Sequence, residues 1–339
     1  MTSKTTALLL GLSVAALAAP STGSGQSLFE DNFDGGTSGG SWLSATAVSV
    51  PTTDSYADFA FDYSLIGIPA APHSLGTTVG MGFVVNREGA SGGVLPGISA
   101  SPIGMHFTGD FRIEFDAWLN FVGPFPAGGN GSTQMASFGW GANGTSVQYA
   151  ASNRSIIFAA SGDGGTAQDY RVYRVGGGAP LAPDANPGVY AAGDVGGGAA
   201  ADSRQASNPY YASLGSKTAP LGQQILYPNQ SGTTAAGTFG MAWHDVIVDK
   251  VGDTLTWTVD GLRIAAVPLN GAVPGGDNIF FGMFDINTNA STDPNNFLNT
   301  AIYDNVVVTQ IPEPAAGMLL LGVGGLVALR RRQRGTLDR

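Results

Sequence analysis

The stretch FRIEFDAWLNF, Phe111 to Phe121, sets two carboxylates, Glu114 and Asp116, two residues apart in an alternating pattern. Alternate residues of a strand share a face, so both side chains point the same way. Paired carboxylates about 5–10 Å apart are the machinery of glycosidic-bond hydrolysis. Ala117, Trp118, Leu119 and Asn120 follow, so this strand carries no further acid. A polar sheet face is the plainer reading of Glu114 and Asp116, and no catalytic residue is assigned.

The remaining chemistry is sparse. His73, His106 and His244 are far apart and show no metal-ligand spacing. His244, between Trp243 and Asp245, reads as a strand-edge residue. There is no Gly-x-Ser-x-Gly elbow and no phosphate loop. The absence of cysteine excludes disulfides, thiol catalysis and thiolate metal sites. Of the 25 acidic residues 21 are Asp, a type that suits turns and calcium loops. Glu30, Asp31 and Asp34 in EDNFDG and Asp304 in YDNVVV become neighbours if the first and last strands pair. They are the candidate calcium ligands, with turn capping as the simpler account, and no other cofactor is indicated. DINTNASTDPNN, Asp285 to Asn296, is a second oxygen-rich loop without EF-hand order. Six tyrosines, Tyr170, Tyr173, Tyr190, Tyr210, Tyr211 and Tyr227, fall within residues 161–240. Their flat faces and hydroxyls suit stacking on sugars, or equally the pinning of long loops to a sheet.

The elements that must position these groups are strands. On Phe111–Phe121 one face holds Phe111, Ile113, Phe115, Ala117, Leu119 and Phe121. The other holds Arg112, Glu114, Asp116 and Asn120, with Trp118 the one large apolar residue among them. Eleven residues of period two predict a half-buried strand in an antiparallel sheet. From Trp243 to Leu269 three further alternating strands follow, with turns at Gly252-Asp253 and at Asp260-Gly261, a preferred hairpin pair. Asn278–Phe284 and Ala301–Thr309 predict two more. Helical periodicity is confined to the termini, so an all-β antiparallel sandwich over 27–310 is expected, with a glycine-rich, loop-forming insertion at about 161–240.

The chain has 339 residues, 43% of them hydrophobic and 12% charged, with 51 Gly and 19 Pro, which suits many strands joined by turns. The formal net charge is −10. So acidic a chain is a poor partner for nucleic acid, whose phosphates need Lys and Arg.

The two ends read as addresses. Lys4, an apolar run from Ala7 to Ala19 and the small-residue pattern Ala16-Leu17-Ala18 form a secretory signal over residues 1–18, which implies the Sec export machinery. Near the other end, Ala315 to Leu329 is apolar or glycine and is followed by Arg330, Arg331, Arg332 and Arg334. Fifteen helical residues reach about 22 Å, short of a ~30 Å hydrocarbon core, and the arginines hold to the cytoplasmic side. This is a short transmembrane stop, not a durable anchor.

Pro312-Glu313-Pro314, the short apolar helix and the arginine cluster, residues 311–335, resemble the PEP-CTERM sorting signal of exopolysaccharide-producing bacteria. The resemblance implies recognition by an exosortase and delivery to the outer envelope, cell surface or extracellular matrix. The body resembles the concanavalin A-like jelly-roll superfamily. It opens on LFEDNFDG, continues through FRIEFDAWLNF and a Trp-His-x-Val strand into WTVDG, and closes on YDNVVV. Laminarinase-type members carry Glu-x-Asp-x-(x)-Glu on one strand; Glu114 and Asp116 match its first two positions and the third is missing. The expectation is a non-enzymatic, exported structural or adhesive sandwich that binds extracellular polysaccharide, with a polysaccharide-active hydrolase or lyase as the alternative.

Overall fold

Alternation in the sequence becomes strand wherever one face of a sheet stays open to solvent. The computed structural model describes residues 25–47, 51–89, 92–126, 133–152, 154–162, 166, 168–182, 185–193, 202–290 and 292–312. The signal segment 1–18, Glu313, Pro314, the apolar run and the arginines Arg330, Arg331, Arg332 and Arg334 lie outside the described residues.

In chain order the strands are β1 (Ser27–Asp31), β2 (Trp42–Thr46), β3 (Tyr56–Asp62), β4 (Val79–Val84), β5 (Gly97–Pro102), β6 (Phe111–Asn120) and β7 (Gln134–Ala142). They continue as β8 (Ile156–Ser161), β9 (Tyr170–Tyr173), β10 (Trp243–Val251), β11 (Thr254–Val259), β12 (Leu262–Pro268), β13 (Asn278–Asp285) and β14 (Thr300–Gln310). One sheet runs β12-β11-β10-β6-β14-β4-β3, with β1 also on β14; the other runs β2-β5-β13-β7-β8-β9. Every pairing is antiparallel. The expected all-β antiparallel sandwich is what the chain forms.

The core lies between the sheets, where Phe115 of β6 meets Phe138 of β7 and Phe281 of β13, each at 4.9 Å between ring centroids in T-shaped contacts. Tyr303 of β14 spans the sandwich. Its hydroxyl accepts from Ser137 N at 2.8 Å and faces the carbonyls of Gly282 at 2.8 Å and Ser137 at 3.0 Å. Burial pushes that phenol far above its ordinary range, so the hydroxyl remains a donor. Asp260 and Gly261 both take positive φ, 50° and 77°, the pair of left-handed residues that a tight β11–β12 hairpin turn requires.

Two further apolar clusters coat the outer sheet faces. Tyr63, Ile66, Ile68 and Phe121 cover Trp118, which explains a large apolar side chain on the polar face of β6. Met135, Ile157, Ala159, Phe280 and Phe284 form the other on the six-stranded sheet.

The region expected as a loop-rich insertion starts later than its sequence suggests, because β9 is a true strand of the six-stranded sheet. The segment after it closes one side of the sandwich. Leu181 N bonds Val172 O of edge strand β9, and Ala191 N bonds Ile264 O of edge strand β12. Covering both edges removes unpaired backbone that would otherwise invite strand addition. A single-turn helix, α1 (Leu221–Leu226), lies farther along.

Candidate functional site

Strand register builds the site. Asp116 of β6 sits directly opposite Asp245 of β10 on one side and Asp304 of β14 on the other. Phe115, Val246 and Tyr303, each adjacent to one of these residues, enter the core, so all three carboxylates lie on the outer face of the eight-stranded sheet. Directly opposed side chains on one face have Cβ atoms about 4.5–5.5 Å apart, and like charges so placed repel. Two further carboxylates therefore stand beside Asp116, each from a neighbouring strand.

The structure offsets this repulsion residue by residue. Asp116 is fully buried and accepts from the His73 backbone N at 3.1 Å, His73 Nδ1 at 2.8 Å and Asn305 Nδ2 at 2.9 Å. That hydrogen bond is the main reason the His73 imidazole is pushed above its ordinary pKa, toward the charged form. Asp304, also fully buried, accepts from the Tyr63 hydroxyl at 3.0 Å and Asn305 N at 2.7 Å. Burial, with a smaller contribution from Asp116, raises its carboxyl to about 7, so it keeps a proton into the neutral range. A one-residue bulge in β14 makes this possible: register against β6 slips between Asp304 and Val307, and Asn305 takes φ 53°. Asparagine tolerates that left-handed conformation, and the bulge aims its amide at Asp116.

Above the row lies a cleft of about 770 Å³, within the range of small-ligand sites. Its floor and walls include Glu30, Asp31, Asn32, Thr37, His73, Glu114, Asp245 and Asn305. Four carboxylates line it with one basic side chain, His73, whose imidazole is 61% exposed, and Arg112 stands 3.6 Å from Glu114. The chemistry on offer is a dense set of hydrogen-bond acceptors with a strongly negative field. Such a surface takes hydroxyl and ammonium donors and repels anions.

The residues singled out in sequence divide as follows. Glu114 and Asp116 do share a face, with Glu114 in the cleft and Asp116 beneath it. The first and last strands do pair, with Asp31 opposite Val306, so Glu30 and Asp31 approach β14. Asp31 anchors a turn: its carboxylate accepts from Phe33 N, Ser38 Oγ and Trp42 Nε1, each at 2.8 Å. Asp34 accepts from its neighbour Asn32 at 2.9 Å. Among the described residues no three His, Asp or Glu side chains converge as a metal-holding group, so Glu30, Asp31, Asp34 and Asp304 are not gathered on one cation.

The tyrosines mostly pin loops. Tyr170, Tyr173, Tyr190 and Tyr211 are buried and present no open face for a sugar. Tyr170 and Tyr211 stack at 4.3 Å, and their hydroxyls donate to Gly237 O and Ser203 O, both at 2.6 Å. Tyr190 donates to Leu181 O at 3.0 Å. Tyr210 and Tyr227 are half-buried, Tyr210 donating to Arg263 O at 2.8 Å and Tyr227 packing on Phe297. Neither lines the acidic cleft.

Each histidine is paired with an aspartate through Nδ1: His73 with Asp116, His106 with Asp277 at 2.6 Å, and His244 with Asp260 at 2.6 Å. The strand-edge reading of His244 is overturned, because β10 lies between β6 and β11. His244 is buried on the core side with Nε2 on Phe239 O at 2.7 Å. Asp245, Asn305 and Tyr63 escaped the sequence reading. Only the alternation of β10, which puts Asp245 outward beside inward Val246, hinted at any of them.

Comparison with known families matches residues 310–333 to the PEP-CTERM protein-sorting motif. The chain carries a PEP-CTERM sorting signal. Comparison with curated proteins returns no match. Among solved structures, the chain is similar to a Bacillus subtilis protein of unknown function with a galectin-like fold, at 8% identity and TM-score 0.41, covering 85% of this chain and 97% of that one. It is similar to a carbohydrate-binding module from Bacillus subtilis at 10% identity and TM-score 0.30, covering 63% and 82%. It is also similar to an alginate lyase of polysaccharide lyase family 7, at 10% identity and TM-score 0.33, covering 68% and 77%. Among the described residues, no helix is long and apolar enough to cross a membrane.

Proposed function

We propose that this is an exported structural or adhesive protein of the cell surface or extracellular matrix that binds a neutral, hydroxyl-rich polysaccharide in the acidic cleft without cleaving it. The observation that carries the reading is the cleft lining: Glu30, Asp31, Glu114 and Asp245 against His73, with Arg112 3.6 Å from Glu114. Carboxylates accept strongly from sugar hydroxyls, and their summed field disfavours uronic-acid or sulfated chains. The sorting motif supports the location, since such a signal implies export, transient membrane insertion and processing by an exosortase.

The test is retention on a panel of immobilised neutral and anionic glycans. The native chain should be retained by a neutral polysaccharide and not by a uronate polymer. Glu114→Gln and Asp245→Asn should each weaken that retention several-fold while the thermal midpoint stays close to native. Retention by uronate alone, or retention indifferent to both substitutions, would count against the cleft.

A second reading, a polysaccharide-active enzyme, draws on the aspartate row. Asp304 keeps a proton near neutral pH directly opposite Asp116, and a carboxyl that stays protonated at neutral pH is what the general acid of glycoside hydrolysis must be. Soluble product released from the same glycan panel, abolished by Asp116→Asn, would favour it over binding.

A further inference from the structure

At the end of β13 the chain turns through Asp285, Asn287 and Asn289, and Asn86, just past β4, reaches it from the opposite sheet. Asn86 Nδ2 lies 2.9 Å from Asp285 Oδ2 and 3.1 Å from each of the main-chain oxygens of Asn287 and Asn289. A carboxamide nitrogen carries two protons, so three acceptors converge on two donors. The same side chain's Oδ1 is buried without a hydrogen-bond partner. Gln134, opposite Asp285 in the β7–β13 register, donates its amide to Val85 O at 2.9 Å, and its Oε1 is likewise buried and unpartnered. Asn86 is 1% exposed and Gln134 4%, so neither oxygen is reached by bulk solvent. Unpaired buried polar atoms are rare because each costs its full desolvation.

The corner therefore holds one carboxylate, two carboxamide oxygens in need of a partner and two main-chain carbonyls. Asp285 is itself buried and makes no ion pair among the described residues, and burial raises its carboxyl above the usual range. All five donors are hard oxygens of the kinds calcium takes, at about 2.3–2.6 Å in flexible shells of six to eight. Three of them already surround one point at 2.9–3.1 Å. That point is the Asn86 Nδ2 position, so turning the amide over would set its orphan oxygen 2.9–3.1 Å from the other three, and oxygens about 3 Å apart are neighbours in one calcium shell. Magnesium, which demands a tight octahedron and keeps its waters, fits such a set poorly.

We propose that Asn86, Gln134, Asp285 and the main-chain oxygens of Asn287 and Asn289 form a calcium site that fastens the two sheets together at this corner. A single carboxylate places it in the weak regime of extracellular calcium modules, with a Kd of about 10⁻⁴–10⁻³ M. It is separate from the Glu30, Asp31, Asp34 and Asp304 set, and independent of whether the cleft binds sugar.

The experiment is calorimetric titration of the full-length chain with CaCl2, paired with urea midpoints in CaCl2 or chelator. The native chain should bind one calcium in that range and gain midpoint with it, with MgCl2 much less effective. Asp285→Asn should weaken binding at least about tenfold, by loss of the one charged ligand. Asn86→Asp is the decisive variant, because a second carboxylate should tighten calcium at least about tenfold and steepen the dependence of the midpoint on CaCl2. If Asn86 is only a hydrogen-bond bridge, Asn86→Asp sets carboxylate against carboxylate and lowers the midpoint equally in CaCl2 and chelator, which overturns the site. It is also overturned if the native chain takes up no calcium, or if uptake survives Asp285→Asn and disappears in the Glu30→Gln/Asp34→Asn double variant.

Discussion

Replacing Asp304 by Asn should flatten the pH dependence of stability. The folded chain holds the Asp304 proton up to about pH 7, whereas an unfolded aspartate releases it near 3.9. Between those values the folded state binds more protons than the unfolded one, so stability falls as pH rises. The contribution is fully present below about pH 4 and is lost by the time pH passes 7. Moving one carboxyl across that interval is worth roughly 4 kcal/mol, or about 8 °C of Tm at ~2 °C per kcal/mol for a domain above 200 residues. Asparagine keeps an oxygen for the Tyr63 hydroxyl and does not titrate. His73, Asp169 and Asp285 are also raised, His73 through its bond to Asp116 and the two aspartates through burial, and their stability is lost in the same direction. They are present in both proteins, so the difference between the two curves isolates Asp304. Urea midpoints and Tm of native chain and D304N, taken from pH 4.5 to 8.5, provide the measurement. The variant should gain several kcal/mol on the native chain between the two ends. Parallel curves would refute the assignment of a near-neutral proton to Asp304.

Three further outcomes are expected. Tyr303→Phe leaves Ser137 N buried without its acceptor and should cost about 1–3 kcal/mol in urea unfolding, with the strand content by circular dichroism unchanged. A Cβ at Gly261 meets no neighbouring atom, so the cost of Gly261→Ala, about 1–2 kcal/mol, should come from backbone strain at φ 77° alone, and Gly261→Asn should recover most of it. Glu313→Ala in the sorting motif should change the mass or cell fraction of the exported protein; identical mass and fraction would count against recognition through that residue.

How much of this was legible follows from which faces are open. β6, β10 and β11 have one solvent-facing or polar side, and their alternation announced them in sequence. β5, β7 and β8 are buried along their whole lengths, because the apolar cluster around Phe280 and Phe284 covers the outer face of their sheet. Residues such as QMASFGWGA then show no period of two, and the strands went unread. The aspartate row was illegible for a different reason. Asp245, Asp116 and Asp304 meet only through the order β10-β6-β14, a non-sequential arrangement that no local pattern encodes. The tyrosines of the insertion were legible as a cluster, but whether they faced solvent depended on a chain path that bridges the β9 and β12 edges.

The closing strand has a mechanical consequence. β14 is flanked by β6 along one side and by β4 and then β1 along the other, and Gln310 N still bonds Gln26 O at its last residue. The sorting motif begins at that same residue, so no slack separates it from the sandwich. Whatever grips the tail pulls along the axis of a strand seated inside a sheet. Force applied that way loads the rungs on both sides together, in shear, instead of opening them one at a time like a zipper. A protein tethered by such a strand can transmit drag from its surroundings to its attachment point while its cleft keeps its shape.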